Sequence, residues 1–282
     1  MSDVALPIDG TELQWIDHLP EHLPDAIHLG KYMQVKPGEL LITFPEVARY
    51  RVTNGKRIEI ALLSEDAHST AAFFLMATPF GALIHQRGEL PLHASAVVPP
   101  GGDRALLIAG HSGAGKSTLA AAFAKRGWTV LNDDVSRIYN IGSNVKVWPG
   151  FAALKLWQQS CDLLKLDSAS LPATRGKKQK YFWQASGSHH EPLPIAAIVE
   201  LKYIPNSSNA TKIRQAKGGE AIQLLIEQTF RPRLIRPLGN QAKHFMQMRQ
   251  VAGQHACYQV INSHALAPDT LADELTALLN IQ

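Results

Sequence analysis

Two different patterns of apolar and polar residues follow one another along this chain. Up to about residue 85 the pattern predicts strands and turns. Residues 39–44 form an apolar run behind the turn pair Pro37-Gly38. Residues 50–53 and 56–60 flank Asn54-Gly55, a dipeptide that tolerates the positive φ values of a type I′ hairpin turn. Residues 71–84 are a longer apolar stretch and predict a buried helix broken near Pro79. These elements predict a smaller β-rich lobe over residues 1–88.

From Leu92 the pattern changes, and a second domain is expected over 89–282. Residues 93–98 and 104–109 are short and nearly all apolar, as buried strands are, with Pro99-Pro100-Gly101-Gly102 between them. A glycine-rich stretch follows, then a helical run over 116–126 with Gly127 placed just past its end. Residues 128–131 predict another strand, ending in Asn132-Asp133-Asp134. Further on, the pattern predicts a strand and turn at 146–150, a helix at 153–166 and a polar loop at 175–180. A strand at 195–201 and helices at 218–230 and 269–279 complete it, the last with Leu271, Leu275, Leu278 and Leu279 on one face. The fold class expected is α/β.

The glycine-rich stretch carries the most specific chemistry. Gly110-His111-Ser112-Gly113-Ala114-Gly115-Lys116-Ser117 fits G-x-x-x-x-G-K-[ST] at every fixed position. Glycines let the backbone wrap a phosphate chain, and the helix that begins there adds partial positive charge. Lys116 is placed to reach the β- and γ-phosphates, Ser117 to bind Mg²⁺, and Thr118 to support the α-phosphate. A buried strand before the motif and a helix after it supply the context that distinguishes a phosphate loop from a glycine-rich turn.

Asp133 and Asp134 lie where a strand end would meet that loop. Neighbours on a strand point to opposite sides, so two roles are expected. One carboxylate would hold Mg²⁺ and the other would take the proton of an attacking hydroxyl. His93, at the start of the strand preceding the loop strand, is a third candidate.

Composition changes the picture little. Of 282 residues, 28 are Lys or Arg and 24 Asp or Glu, a net charge of +4, and 45% are hydrophobic. That excludes a disordered chain. Two cysteines, Cys161 and Cys257, exclude a disulfide-stapled domain and are expected as free thiols. The basic clusters at Lys177, Lys178 and Lys180 and at Arg231, Arg233 and Arg236 are local, and they suggest phosphate or acidic-peptide handling more than nucleic-acid binding. Neither a signal peptide nor an apolar stretch of the roughly 20 residues a bilayer requires is visible. A cytoplasmic protein without membrane or nucleic-acid partners is expected.

Taken together, the chain resembles the HPr kinase/phosphorylase-like kinases. The resemblance rests on Leu92-His93-Ala94-Ser95, the loop 110–117 with Thr118-Leu119, and Lys125-Arg126-Gly127 followed by Leu131-Asn132-Asp133-Asp134. It implies a P-loop kinase core similar to phosphoenolpyruvate carboxykinase, using ATP and Mg²⁺ to phosphorylate serine on a peptide or protein. It implies Lys116 and Ser117 on phosphate and metal, Asp133 as general base, Asp134 as metal ligand, and His93 near the reacting phosphate. The short front lobe looks more like relatives that modify peptides, including lasso-peptide precursors, than like full HPr kinases. A small-molecule kinase on the same core, or a nucleotide-gated binding module without transfer, are the alternatives. The absence of an Asn-Lys-x-Asp motif leans towards ATP over GTP, and self-association is left open.

Overall fold

The computed structural model describes residues 10–141, 144–173, 179–185, 187, 189–203, 211–262 and 267–280. The chain forms two units, Met1–Pro91 with Thr229–Met248, and Leu92–Gln228 with Arg249–Gln282.

In the first unit, alternation drives a sheet. β1 (Glu12–Trp15), β2 (Ile27–His28), β3 (Met33–Lys36), β4 (Glu39–Phe44), β5 (Ala48–Thr53) and β6 (Arg57–Leu62) lie in the order β1-β6-β5-β4-β3-β2. In β5, Ala48, Tyr50 and Val52 are buried while Arg49, Arg51 and Thr53 are half-buried, the period-2 signature of a one-sided sheet. The β5–β6 hairpin turns at Asn54 (φ 52°) and Gly55 (φ 65°), with Lys56 N–H donating to the Thr53 carbonyl at 3.0 Å.

The apolar stretch expected as one broken helix is two, α1 (His68–Leu75) and α2 (Thr78–Gln86). Pro79 falls in the first turn of α2, where its ring fits and its missing N–H costs nothing. Among the described residues no single helix is long and apolar enough to cross a membrane. α1 and α2 approach that composition only as a pair bent by 46°.

The return of 229–248 to this unit departs from a single boundary at 88/89. A Cβ on Gly81 would lie 2.6 Å from the Phe230 ring, so α2 presents a flat spot that the ring covers. His85 Nε2–H donates to the Phe230 carbonyl at 2.8 Å, and the Asn240 amide donates to the His85 carbonyl at 2.6 Å.

Leu90–Leu92 (β7) carries the chain into the second unit. There, β8 (Ala94–Val98) runs antiparallel to β9 (Ala105–Gly110), which leads to α3 (Lys116–Lys125). β10 (Thr129–Asn132) pairs antiparallel with β8. β11 (Ser136–Ile141) and β12 (Asn144–Val147) form a hairpin. The stretch expected as a helix over 153–166 is instead β13 (Ala153–Leu156) followed by the short α4 (Gln158–Leu163). The reason is non-local, because β13 pairs with β14 (Tyr181–Gln184), a later strand for which no element was expected.

β15 (Leu193–Tyr203) is the spine of the unit. Its first residues pair with β12, and later ones run parallel to β9 on one side and to a C-terminal strand on the other. β16 (Lys212–Ala216), α5 (Gly219–Glu227), α6 (Gln241–Gln254, whose residues up to Met248 belong to the first unit), that C-terminal strand β17 (Ala256–Asn262) and α7 (Pro268–Leu279) finish the chain. β16, α6 and β17 carry no element expectation in the sequence. One core gathers Val97, Leu106 and Ile108 from the sheet with Phe123 of α3 and Leu271 and Leu275 of α7. Leu278, expected on the same face, is exposed. The fold is mixed α/β with several sheets.

Candidate functional site

β9 runs directly into the loop of residues 110–115, and glycine sets its path. Gly110 has φ 147°, and a Cβ there would lie 2.8 Å from the Leu201 carbonyl oxygen of β15, so any other residue collides with backbone. Gly115, at φ 97°, caps the N-terminus of α3, whose exposed N–H groups and dipole favour an anion.

Lys116 is the first residue of α3 and is buried. Its Nζ donates to the carbonyls of Gly110 (2.7 Å) and His111 (3.2 Å), so the loop's own oxygens hold the ammonium. Burial lowers its pKa, with Lys180 adding to the effect and Asp134 and Asp133 opposing it.

The next residue ties the loop to the end of β10. The Ser117 hydroxyl donates to Asp133, 3.0 Å from Oδ1 and 3.1 Å from Oδ2. Asp133 also accepts from the Ser95 hydroxyl of β8 at 2.5 Å and from the Lys155 backbone N–H of β13 at 3.0 Å. Burial raises its pKa and Asp134 adds to that, while Ser95 and the Lys155 N–H work against it.

Asp134 faces elsewhere. Its backbone is left-handed at φ 71°, a conformation rare outside glycine and asparagine-like residues, and it separates the two carboxylates. Lys155 Nζ pairs with its Oδ2 at 2.6 Å, and His93 Nε2 lies 3.8 Å from its Oδ1. Burial acts to raise this carboxyl, but Lys155, then His93 and Lys180, outweigh it and hold the pKa below the ordinary value.

These groups surround a cavity of about 580 Å³. Ser112, Gly113, Ala114, Gly115, Lys116, Ser117 and Thr118 form one wall, and His93 and Asp134 join them. Gly110 and Asp133 are not in the wall itself; the first sets the path of the loop and the second is the partner of Ser117. Lys155, Lys180 and Lys202 also line the cavity, with Lys180 Nζ 4.7 Å above the ring of Trp157. The Thr118 and Ser160 hydroxyls are 2.8 Å apart, joining α3 to α4 beside the apolar side chains of Leu163 and Leu271. Ser117 and Asp133 supply the hard oxygen donors that Mg²⁺ takes, already side by side.

His93, Gly110, residues 112–118, Asp133 and Asp134 are therefore in this one region. The pairing differs from the expectation in one respect, since Ser117 meets Asp133 and not Asp134. Ser95, Lys155, Ser160 and Lys202 were not anticipated. Lys155 had a signal, a lysine inside the apolar run Ala153-Leu154-Lys155-Leu156, which a helical reading of that segment hid. Lys177 and Lys178 lie outside the described residues. Arg231, Arg233 and Arg236 belong to the first unit and, among the described residues, are not in the cavity wall.

No protein-family profile matches the chain, and no curated protein matches it. Among solved structures it is similar to the Hpr(Ser) kinase/phosphatase from Coxiella burnetii, at 11% identity and a TM-score of 0.34, over 67% of this chain and 95% of that one. Similarity at that level says nothing of activity, which the side chains have to carry.

Proposed function

We propose that this protein is a Mg²⁺-dependent phosphotransferase that moves the γ-phosphate of ATP to a serine hydroxyl of a peptide or protein, a ribosomally made precursor of the lasso type being the finer candidate. The observation that carries this is the division of the aspartate pair. Asp133 is locked to the Ser117 hydroxyl, and Asp134 is turned into the cavity beside His93. A site that only binds nucleotide has no use for a second carboxylate facing the phosphates.

In this reading the loop N–H groups and Lys116 hold the phosphate chain, with Lys116 exchanging its loop carbonyls for phosphate oxygens. Ser117 and Asp133 would hold Mg²⁺, which neutralises charge on the β- and γ-phosphates when bound. The acceptor oxygen bonds to the γ-phosphorus as the bond to the β-phosphate oxygen breaks and ADP leaves. The acceptor's proton passes to Asp134. Lys155 orients that carboxylate, and His93 stands where it can donate to the transferred group. The roles of Asp133 and Asp134 are thus exchanged relative to the sequence expectation.

The test is mass spectrometry of the full chain incubated with ATP, Mg²⁺, serine-containing peptides and a metabolite panel. A gain of one phosphate on a peptide serine supports the reading. Label on a metabolite alone would sink the peptide acceptor, and binding of ATP with no transfer to any acceptor would sink the kinase.

A further inference from the structure

The carboxylate of Glu200 has no part in the chemistry above, yet it is the most deeply buried acid near the cavity. It stands on β15, one residue before Leu201, which pairs with Gly110. Its side chain is 0% exposed. A carboxylate so buried persists only when hydrogen-bonded and paired. Three groups provide this. Gln228 Nε2 donates to Oε1 at 2.8 Å, Gln259 Nε2 donates to Oε2 at 2.8 Å, and Lys202 Nζ lies 3.3 Å from Oε2.

Two of the three lead to the cavity. Lys202 is in its wall, and its Nζ also lies 3.8 Å from Glu227 Oε2. Gln228 ends α5, and its backbone carbonyl accepts the His93 N–H at 2.7 Å, at the point where the chain enters β8. His93 is in the wall as well, 3.8 Å from Asp134. Gln259 sits on β17 and is not in that wall.

We propose that Glu200 is a positioning residue of the phosphate cavity, anchoring Lys202 on one wall and, through Gln228, His93 on another. This rests on the cavity being a triphosphate site. A carboxylate that served only to satisfy the sheet would treat its three partners alike, which separates the two roles experimentally.

The experiment measures Mg-ATP affinity of the full chain by calorimetry, without any acceptor. Glu200→Gln keeps the shape and removes the charge, and it raises the Kd roughly tenfold, as loss of a positioned group does. Lys202→Met raises it similarly, and the double variant is no worse than either single one, because both remove the same interaction. Gln259→Leu deletes a hydrogen bond from a residue outside the cavity wall; it lowers the Tm but leaves the Kd within about twofold. The imidazole NMR resonances of His93 shift in Glu200→Gln and in Gln228→Leu, and not in Gln259→Leu.

An unchanged Kd in Glu200→Gln, additivity with Lys202→Met, or an equal effect of Gln259→Leu overturns the proposal. Should Glu200→Gln unfold, Gln228→Leu leaves the carboxylate in place, and unmoved His93 resonances there overturn it. A wild type that binds ATP but phosphorylates nothing sinks the kinase and leaves the cycle to judge Glu200. One that binds no ATP sinks both.

Discussion

The Ser117 hydroxyl donates to the carboxylate of Asp133, nearly equidistant from its two oxygens at 3.0 and 3.1 Å. A hydroxyl has one proton, so it cannot bond fully to both oxygens at once. The contact is the place where the phosphate loop and the end of β10 meet as oxygen donors. Asp134, one residue on, pairs with Lys155 instead.

The aspartates should therefore fail differently. Asp133→Asn is expected to raise the Mg²⁺ needed for half-maximal transfer by about 10–100-fold, the usual cost of disturbing a metal shell. Asp134→Asn should lower kcat by about 10²–10⁴-fold with little change in Mg²⁺ demand. Asn tolerates the left-handed backbone at 134, so the fold survives. Steady-state rates across a Mg²⁺ series check this, and the opposite pattern returns the base to Asp133.

Replacing Lys116 separates function from stability. Lys116→Met should cost transfer about 10²–10³-fold, the loss expected for a principal electrostatic contact. The lysine is buried and, among the described residues, hydrogen-bonded to loop carbonyls, so an apolar side chain of similar length should leave the Tm unchanged or higher. A large fall in Tm would mean that the ammonium is structural.

Two loop glycines make a paired test. Gly113→Ala meets nothing within 4 Å and suffers only the left-handed backbone, about 1–2 kcal/mol. Gly110→Ala adds a collision with the Leu201 carbonyl and should displace the loop from β15, with a cost reaching roughly 3 kcal/mol and ATP binding lost. Urea midpoints and calorimetry rank the two, and the reverse order would contradict the geometry.

The first unit should be acid-sensitive. His85 and His244 are buried with ring centroids 5.7 Å apart, and burial lowers both pKa values to about 4. The Phe230 carbonyl opposes that shift at His85, and His244 adds to it. The unfolded chain binds the protons more readily, from an ordinary value of 6.5. Stability is thus full above pH 6.5, falls as pH drops towards 4, and levels off below, a loss on the order of a few kcal/mol. Thermal melts from pH 7.5 to 4 check the slope. His244→Leu should flatten it while holding the Tm at neutral pH, since its hydrogen bond to Thr229, at 3.5 Å, is long.

What could be read directly from the residues was local. The turn at Asn54-Gly55, the strand–loop–helix around Gly110 to Ser117 and the helix stop at Gly127 are short-range backbone preferences, and each appears where expected. The adjacency of Asp133 and Asp134 to the loop was likewise legible, because a strand that ends beside such a loop brings its terminal residues to it.

Partners came only with the tertiary structure. Ser95 reaches Asp133 across 38 residues, and the Lys155 N–H reaches it across 22. The first depends on the register of β8 against β10, where a one-residue slip would turn the Ser95 side chain to the other face, and the second on β13 lying beside the end of β10. The left-handed turn at Asp134 is equally hidden in a list of residues, because packing around Lys155 and His93 holds it there. Backbone preference wrote the loop into nearby residues, whereas strand register chose which carboxylate faces the cavity and which lysines surround it.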